Sequence, residues 1–168
     1  MVLLSGPNIN GNEWKYVKDC LDTGWVSSVG SYVTDFEKQI SNYVGSKYAI
    51  ATSSGTTALH LSLLLSEVKN NDLVLVTNVT FIATLNAIKY VGASPILIDI
   101  DENSWQIDLD LLSGFLDSKT EIRDDVCILK STGQRIKAIV PVHVLGNMCD
   151  INKLVSICKK HNISIVED

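Results

Sequence analysis

The chain has 168 residues, enough for one ordinary domain with a substantial core, and its 46% hydrophobic and 20% charged residues lie within the range of globular proteins. A net charge of −5 with the basic residues scattered excludes the Lys/Arg stripe that tracks a phosphate backbone or an anionic membrane, so nucleic acid is not an expected partner. The opening apolar run, Val2 to Leu4, is too short for a secretion signal or a bilayer span, which makes a cytoplasmic protein with no membrane partner the expectation.

Trp14, Val17 and Leu21 recur at helical spacing between Gly11 and Asp22, with Gly24 where helices end, and predict an amphipathic helix. A second is expected after Thr34, because Thr34 and Glu37 have the offset of a capping box and Phe36, Ile40 and Tyr43 share one face before Gly45. Residues 1–47 therefore read as a helical segment.

From Tyr48 the pattern changes to short apolar runs separated by helical stretches. Strands are expected at Tyr48 to Thr52, Leu73 to Asn78, Pro95 to Ile100, Lys137 to His143 and Ile163 to Asp168. The runs are mostly continuous rather than alternating in polarity, as strands covered on both faces require. Helices are expected at Thr56 to Val68, Thr80 to Val91, Asp108 to Leu116 and Asp150 to His161. That βαβα order predicts an α/β fold over residues 48–168, a mainly parallel sheet flanked by helices. Asp117 to Arg135 breaks the rhythm, is polar, and carries Thr132 and Gly133 as a turn signal, so it reads as an insertion with a possible hairpin.

Cys20, Cys127, Cys149 and Cys158 form no CxxC pair and have no His at ligand spacing, so neither a metal site nor a disulfide framework is supported. Three other runs carry chemistry. SSGTTAL, Ser53 to Leu59, follows an expected strand and opens an expected helix; small residues there let backbone N–H groups meet an anion at a helix N-terminus. A capped helix start explains the same residues, and the run alone leaves both open. No Lys follows Gly55 in the manner of a Walker loop, and no GxGxxG supports a dinucleotide fingerprint. TFIAT, Thr80 to Thr84, puts Phe81 at a strand end, where it could stack on a planar ring or simply join the core. SIVED ends in adjacent carboxylates. Asp168 could face a pyridine nitrogen and keep it protonated, or be a solvated strand-end acid.

Taken in order, GNEWKYVKDCLDTGWVSSVGSYV (Gly11 to Val33), SSGTTAL, TFIAT with LNAI, PILIDID, AIVPVHVLG (Ala138 to Gly146) and SIVED resemble the sugar aminotransferases of the DegT/DnrJ/EryC1/StrS family over nearly the whole chain. The first segment and the TGQRIKAI lead-in look closest to the branch that aminates nucleotide-linked 4-keto sugars for nonulosonic acid synthesis. The resemblance implies an incomplete large domain of the aspartate-aminotransferase-like fold (PLP fold type I) and pyridoxal 5'-phosphate as cofactor. It implies that Ser54, Gly55 and Thr56 hold the cofactor phosphate, that Phe81 stacks on the ring, and that Asp168 pairs with the pyridinium nitrogen. Trp25, Ser27 and Ser28 resemble the family's substrate-side loop, and His143 either lines the site or supports the strand end.

The activity so implied moves an amino group, with glutamate as donor, to a nucleotide-linked sugar in cell-surface polysaccharide or nonulosonic acid synthesis, in a homodimer. Family members continue past the aspartate to a turn containing Ala and Gln and later supply the Schiff-base lysine. These 168 residues include neither, so the expectation is that they are inactive alone. Two other functions compete: a non-catalytic binding or regulatory protein of the same fold, and a Rossmann-type nucleotide-sugar enzyme, which the absent glycine fingerprint disfavours.

Overall fold

The structure, a computed structural model, describes residues 6–168, so the apolar start Val2 to Leu4 lies outside the described residues. The chain divides into two compact units, one up to Ala51 and one from Thr52 to Asp168.

The N-terminal unit holds two helices, α1 (Glu13–Thr23) and α2 (Ser31–Val44). Each stops at a glycine in the left-handed region, Gly24 at φ 75° and Gly45 at φ 70°, where a side chain would be strained. The expected capping box at Thr34 is overturned. Helix α2 starts at Ser31, one turn earlier, and the Thr34 hydroxyl bonds back to the Gly30 carbonyl at 3.4 Å. The extra turn brings Tyr32 against Tyr16, with ring centroids 5.1 Å apart, and lets its hydroxyl donate to Asp19. Glu37 caps nothing and accepts the Ala51 N–H instead.

The second unit contains α3 (Gly55–Leu65), β1 (Leu73–Thr77), α4 (Ile82–Tyr90), β2 (Ser94–Ile98), α5 (Leu109–Lys119), β3 (Thr120–Arg123), β4 (Val126–Leu129), β5 (Ile136–Val140), α6 (Ile151–His161) and β6 (Ser164–Ile165). Strands β2, β1, β5 and β6 lie in that order in one parallel sheet. Alternation along β1 and β5 splits the core. Leu73, Leu75 and Ile139 pack with Leu112, Leu116 and Leu154 of α5 and α6, whereas Val74, Val76, Ala138 and Val140 pack with Leu59, Leu63, Ala87 and Ile88 of α3 and α4. Both faces are buried, which is why these strands read as continuous apolar runs.

The polar stretch after α5 folds as an antiparallel hairpin of β3 and β4, turned by Asp124 and Asp125 at φ 50° and 61°. Gly133, at φ 73°, forms the further turn expected with Thr132, both N–H groups returning to the Leu129 carbonyl. The expected strand Tyr48 to Thr52 does not form. No segment among the described residues pairs with it, and Tyr48 and Ile50 are exposed. An apolar run without a neighbour to take its N–H and C=O groups stays irregular.

At the N-terminal rim of the sheet Arg135 grips Asp72 through both Nε and a terminal guanidinium nitrogen. Arg135 also donates to the Glu67 carbonyl, and Asp72 accepts the Lys69 N–H. Asp72 is 7% exposed, and both of its carboxylate oxygens are answered inside the unit.

Candidate active site

The opposite, C-terminal rim is built differently. Helix α3 ends beside Glu67, whose carbonyl is held by Arg135 at the N-terminal rim. A rise of about 1.5 Å per residue therefore carries the start of α3 toward the C-terminal rim. Helix α4 starts just after β1 ends, and Asp168 follows β6, so the α3 N-terminus, the α4 N-terminus and Asp168 all belong to one rim.

Ser54 is the N-cap of α3, its hydroxyl accepting the Thr57 N–H at 3.3 Å and pairing with the Thr57 hydroxyl at 2.9 Å. The capped helix start is therefore real. It uses the N–H groups of Thr57 and Ala58 and leaves those of Gly55 and Thr56 without a partner among the described residues. Gly55 is exposed, and a Cβ built there would meet nothing within 4 Å. Phe81 is the N-cap residue of α4 and is 76% exposed, so it is not a core side chain.

Asp168 is fixed by backbone and side chain together. Its N–H donates to the Pro141 carbonyl at 3.0 Å, and its carbonyl accepts the His143 N–H at 2.9 Å, extending the β5–β6 pairing beyond its formal end. Its Oδ2 accepts a hydrogen bond from the Thr84 hydroxyl of α4. Asp168 thus lies on the α3/α4 face, as does Val166 two residues earlier.

Glu167, by the same alternation, points to the other face and meets the His143 ring at 2.9 Å. The adjacent carboxylates of SIVED are delivered to opposite sides, and the His143 imidazole goes with Glu167 rather than Asp168. Its Nδ1 is buried without a partner among the described residues. Burial, with Glu167 nearby, pushes the Cys149 thiol up from its ordinary value. The loop between α1 and α2 lies in the N-terminal unit. There Trp25 and Ser27 line a hollow of about 320 Å³, while Ser28 does not.

Thr84 escaped the sequence. The signal was present, since Thr84, Ala87 and Ile88 form the buried stripe of α4 and Thr84 is its polar member. Such a hydroxyl needs a partner.

The chain matches the model of the DegT/DnrJ/EryC1/StrS aminotransferase family over residues 7–168. It belongs to that family. A GDP-perosamine synthase of Caulobacter vibrioides is 36% identical over 99% of the chain, which spans 41% of that protein. The aminotransferase from Psychrobacter cryohalolentis superimposes with a TM-score of 0.81 at 29% identity, over 96% of this chain and 37% of that one. The E. coli GDP-4-keto-6-deoxy-D-mannose-3-dehydratase with bound hydrated PLP superimposes with a TM-score of 0.78 at 27% identity, over 98% and 40%. The chain thus spans about two fifths of the length of the relatives it matches. Its sheet and flanking helices are part of the PLP fold type I architecture. Among the described residues no helix is long and apolar enough to cross a membrane.

Proposed function

We propose that this chain is the cofactor-gripping part of a pyridoxal-phosphate-dependent aminotransferase acting on a nucleotide-linked 4-keto sugar. The observation that carries the proposal is the composition of the C-terminal rim. Two unpartnered N–H groups at a helix start, an exposed aromatic ring and an anchored carboxylate meet at one edge of a parallel sheet. These fit the cofactor's three chemically distinct parts: a phosphate anion, a flat ring and a basic ring nitrogen. When bound, the cofactor supplies the electron sink for the bond changes at the substrate carbon.

In this scheme the Gly55 and Thr56 N–H groups, with Ser54 beside them, bind the phosphate at the positive end of α3, and the absence of a Cβ at Gly55 lets it approach the backbone. Phe81 covers one face of the ring and excludes water from it. Asp168 holds the proton on the ring nitrogen, because a carboxylate beside a protonated nitrogen stabilises that charge. His143 braces Glu167 behind the strand end. Trp25, Ser27 and Ser28 contact the sugar nucleotide.

The amine that holds the cofactor covalently comes from outside these residues. Lys18, Lys153 and Lys160 are paired with Asp22, Asp110 and Asp117 on helix surfaces, and Lys137 reaches Glu67 near the N-terminal rim. The segment alone is accordingly expected to bind PLP weakly and to turn nothing over. For the complete protein we propose glutamate as donor, a cytoplasmic homodimer, and a product used in cell-surface polysaccharide or nonulosonic acid synthesis.

The test is to incubate the complete protein with PLP, glutamate and a GDP- or UDP-linked 4-keto-6-deoxyhexose and to look for the aminated sugar by mass spectrometry. Amination is the expected result. PLP binding without turnover on any such sugar would favour the non-catalytic alternative, and no absorbance change of PLP on mixing would end both.

A further inference from the structure

We propose that Thr84 is a positioning residue that orients the Asp168 carboxylate toward the cofactor ring, through a hydroxyl chain running Thr80 to Thr84 to Asp168; this rests on Asp168 being the ring-nitrogen partner. Thr84 is 1% exposed, lies one turn into α4, and directs its hydroxyl to Asp168 Oδ2. Thr80 stands one turn earlier and its hydroxyl reaches Thr84 Oγ1 at 2.9 Å.

The direction of the chain follows from the donor inventory. An ionised carboxylate only accepts, so the one proton of Thr84 goes to Asp168. Thr84 Oγ1 can then only accept from Thr80, whose proton has a weaker second acceptor in the Phe81 carbonyl at 3.3 Å. Each bond polarises the next, with Thr84 buried between a half-buried Thr80 and an exposed Asp168. With Oδ2 committed to Thr84, Oδ1 is left for the rim.

The backbone of Asp168 is held by Pro141 and His143, but neither bond fixes its side-chain torsions. Thr84 does. Because Thr84 N–H also returns to the Phe81 carbonyl at 3.1 Å, the same turn of α4 that presents the ring-covering side chain aligns the carboxylate. A van der Waals contact would fill the same volume, yet only a hydroxyl selects the rotamer.

The experiment uses the complete PLP-loaded protein carrying Thr84→Val, Thr84→Ser, Thr80→Val or Asp168→Asn. It reads the 15N chemical shift of ring-labelled PLP, PLP affinity by fluorescence and the melting temperature. Thr84→Val keeps the shape and removes the donor; it should weaken PLP affinity by about ten-fold and move the 15N resonance toward that of Asp168→Asn. Thr84→Ser should restore both to within about two-fold of wild type, and Thr80→Val should shift them the same way by less. A merely structural Thr84 would lower the melting temperature in Thr84→Val and leave the 15N resonance of the bound cofactor in place, which overturns the proposal. If Thr84→Val does not fold, Thr80→Val decides: an unmoved resonance there also overturns it. Should Asp168→Asn itself leave the resonance unmoved, the assignment of Asp168 fails; should it move while both threonine variants stay at the wild-type position, only the role of Thr84 fails.

Discussion

The two rims of the parallel sheet are made of similar groups used in opposite ways. At the N-terminal rim Asp72 and Arg135 form a clamp that also takes in the Glu67 carbonyl and the Lys69 N–H, so both Asp72 oxygens are satisfied. At the C-terminal rim the Gly55 and Thr56 N–H groups lack partners among the described residues, Phe81 stands in solvent, and Asp168 has one oxygen engaged by Thr84. One end of the sheet pairs its polar groups within the unit; the other leaves several of them without a partner among the described residues. The difference teaches that a charged pair and a charged site are told apart by what remains unanswered, not by which residue types are present.

The sharpest way to break that comparison is Asp168→Asn in the complete protein. Amination should fall by about a hundred-fold or more, with the urea midpoint nearly unchanged, because Asn keeps the backbone bonds to Pro141 and His143. Turnover near the wild-type rate would remove Asp168 from the site. Asp72→Ala tests the other rim. It leaves the Arg135 guanidinium without its carboxylate and should cost about 2–3 kcal/mol of stability, toward the low end for a buried pair because Arg135 is partly solvated. PLP affinity should not change, and a matching loss of affinity would mean that the rims are not separate in function.

Gly55→Ala sharpens the contrast at a single atom. Nothing lies within 4 Å of the added carbon, so stability should stay within about 0.5 kcal/mol. PLP affinity should drop by about ten-fold if a phosphate sits against that backbone; unchanged affinity would place the phosphate elsewhere.

The smallest effect concerns the thiols. All four cysteines are unpaired, and burial pushes the Cys158 thiol up to about 12. A thiol whose folded value is raised stays protonated well above pH 8, and the thiolate is the reactive form. Alkylation of the native protein at pH 8 should therefore modify half-buried Cys20 first and Cys158 last, by mass spectrometry. Early labelling of Cys158 would mean that the face covered by α6 opens readily.

How much of this was legible beforehand depended on whether a feature belongs to one segment or to two. The helices α3 to α6 and the sheet strands were readable from apolar runs bounded by turn residues, because periodicity records which face is buried. The turn at Thr132 and Gly133 was readable for the same local reason, whereas the hairpin's own turn at Asp124 and Asp125 was not singled out. The candidate rim was legible as three runs expected at strand ends, of which TFIAT and SIVED do follow strands while SSGTTAL follows an irregular segment; their likeness to the family implied a shared site. The misses were relational. Tyr48 to Thr52 had a strand's composition but no neighbour; Thr34 had a cap's spacing but lost the helix start to the Tyr16–Tyr32 contact. Alternation alone requires Glu167 and Asp168 to face opposite ways, but which of them His143 meets depends on how the two strand ends lie together.

What the amino-acid order decided by itself, then, was the class of fold, the family, and which residues stand at strand ends, because hydrophobic period and turn chemistry are properties of contiguous residues. Only the tertiary structure decided that Thr84 holds Asp168, that His143 goes to Glu167, and that Asp72 is closed off by Arg135. Those pairings join residues that are distant along the chain. Which donor meets which acceptor is settled by the packing of helices on the sheet, and no local pattern carries that information.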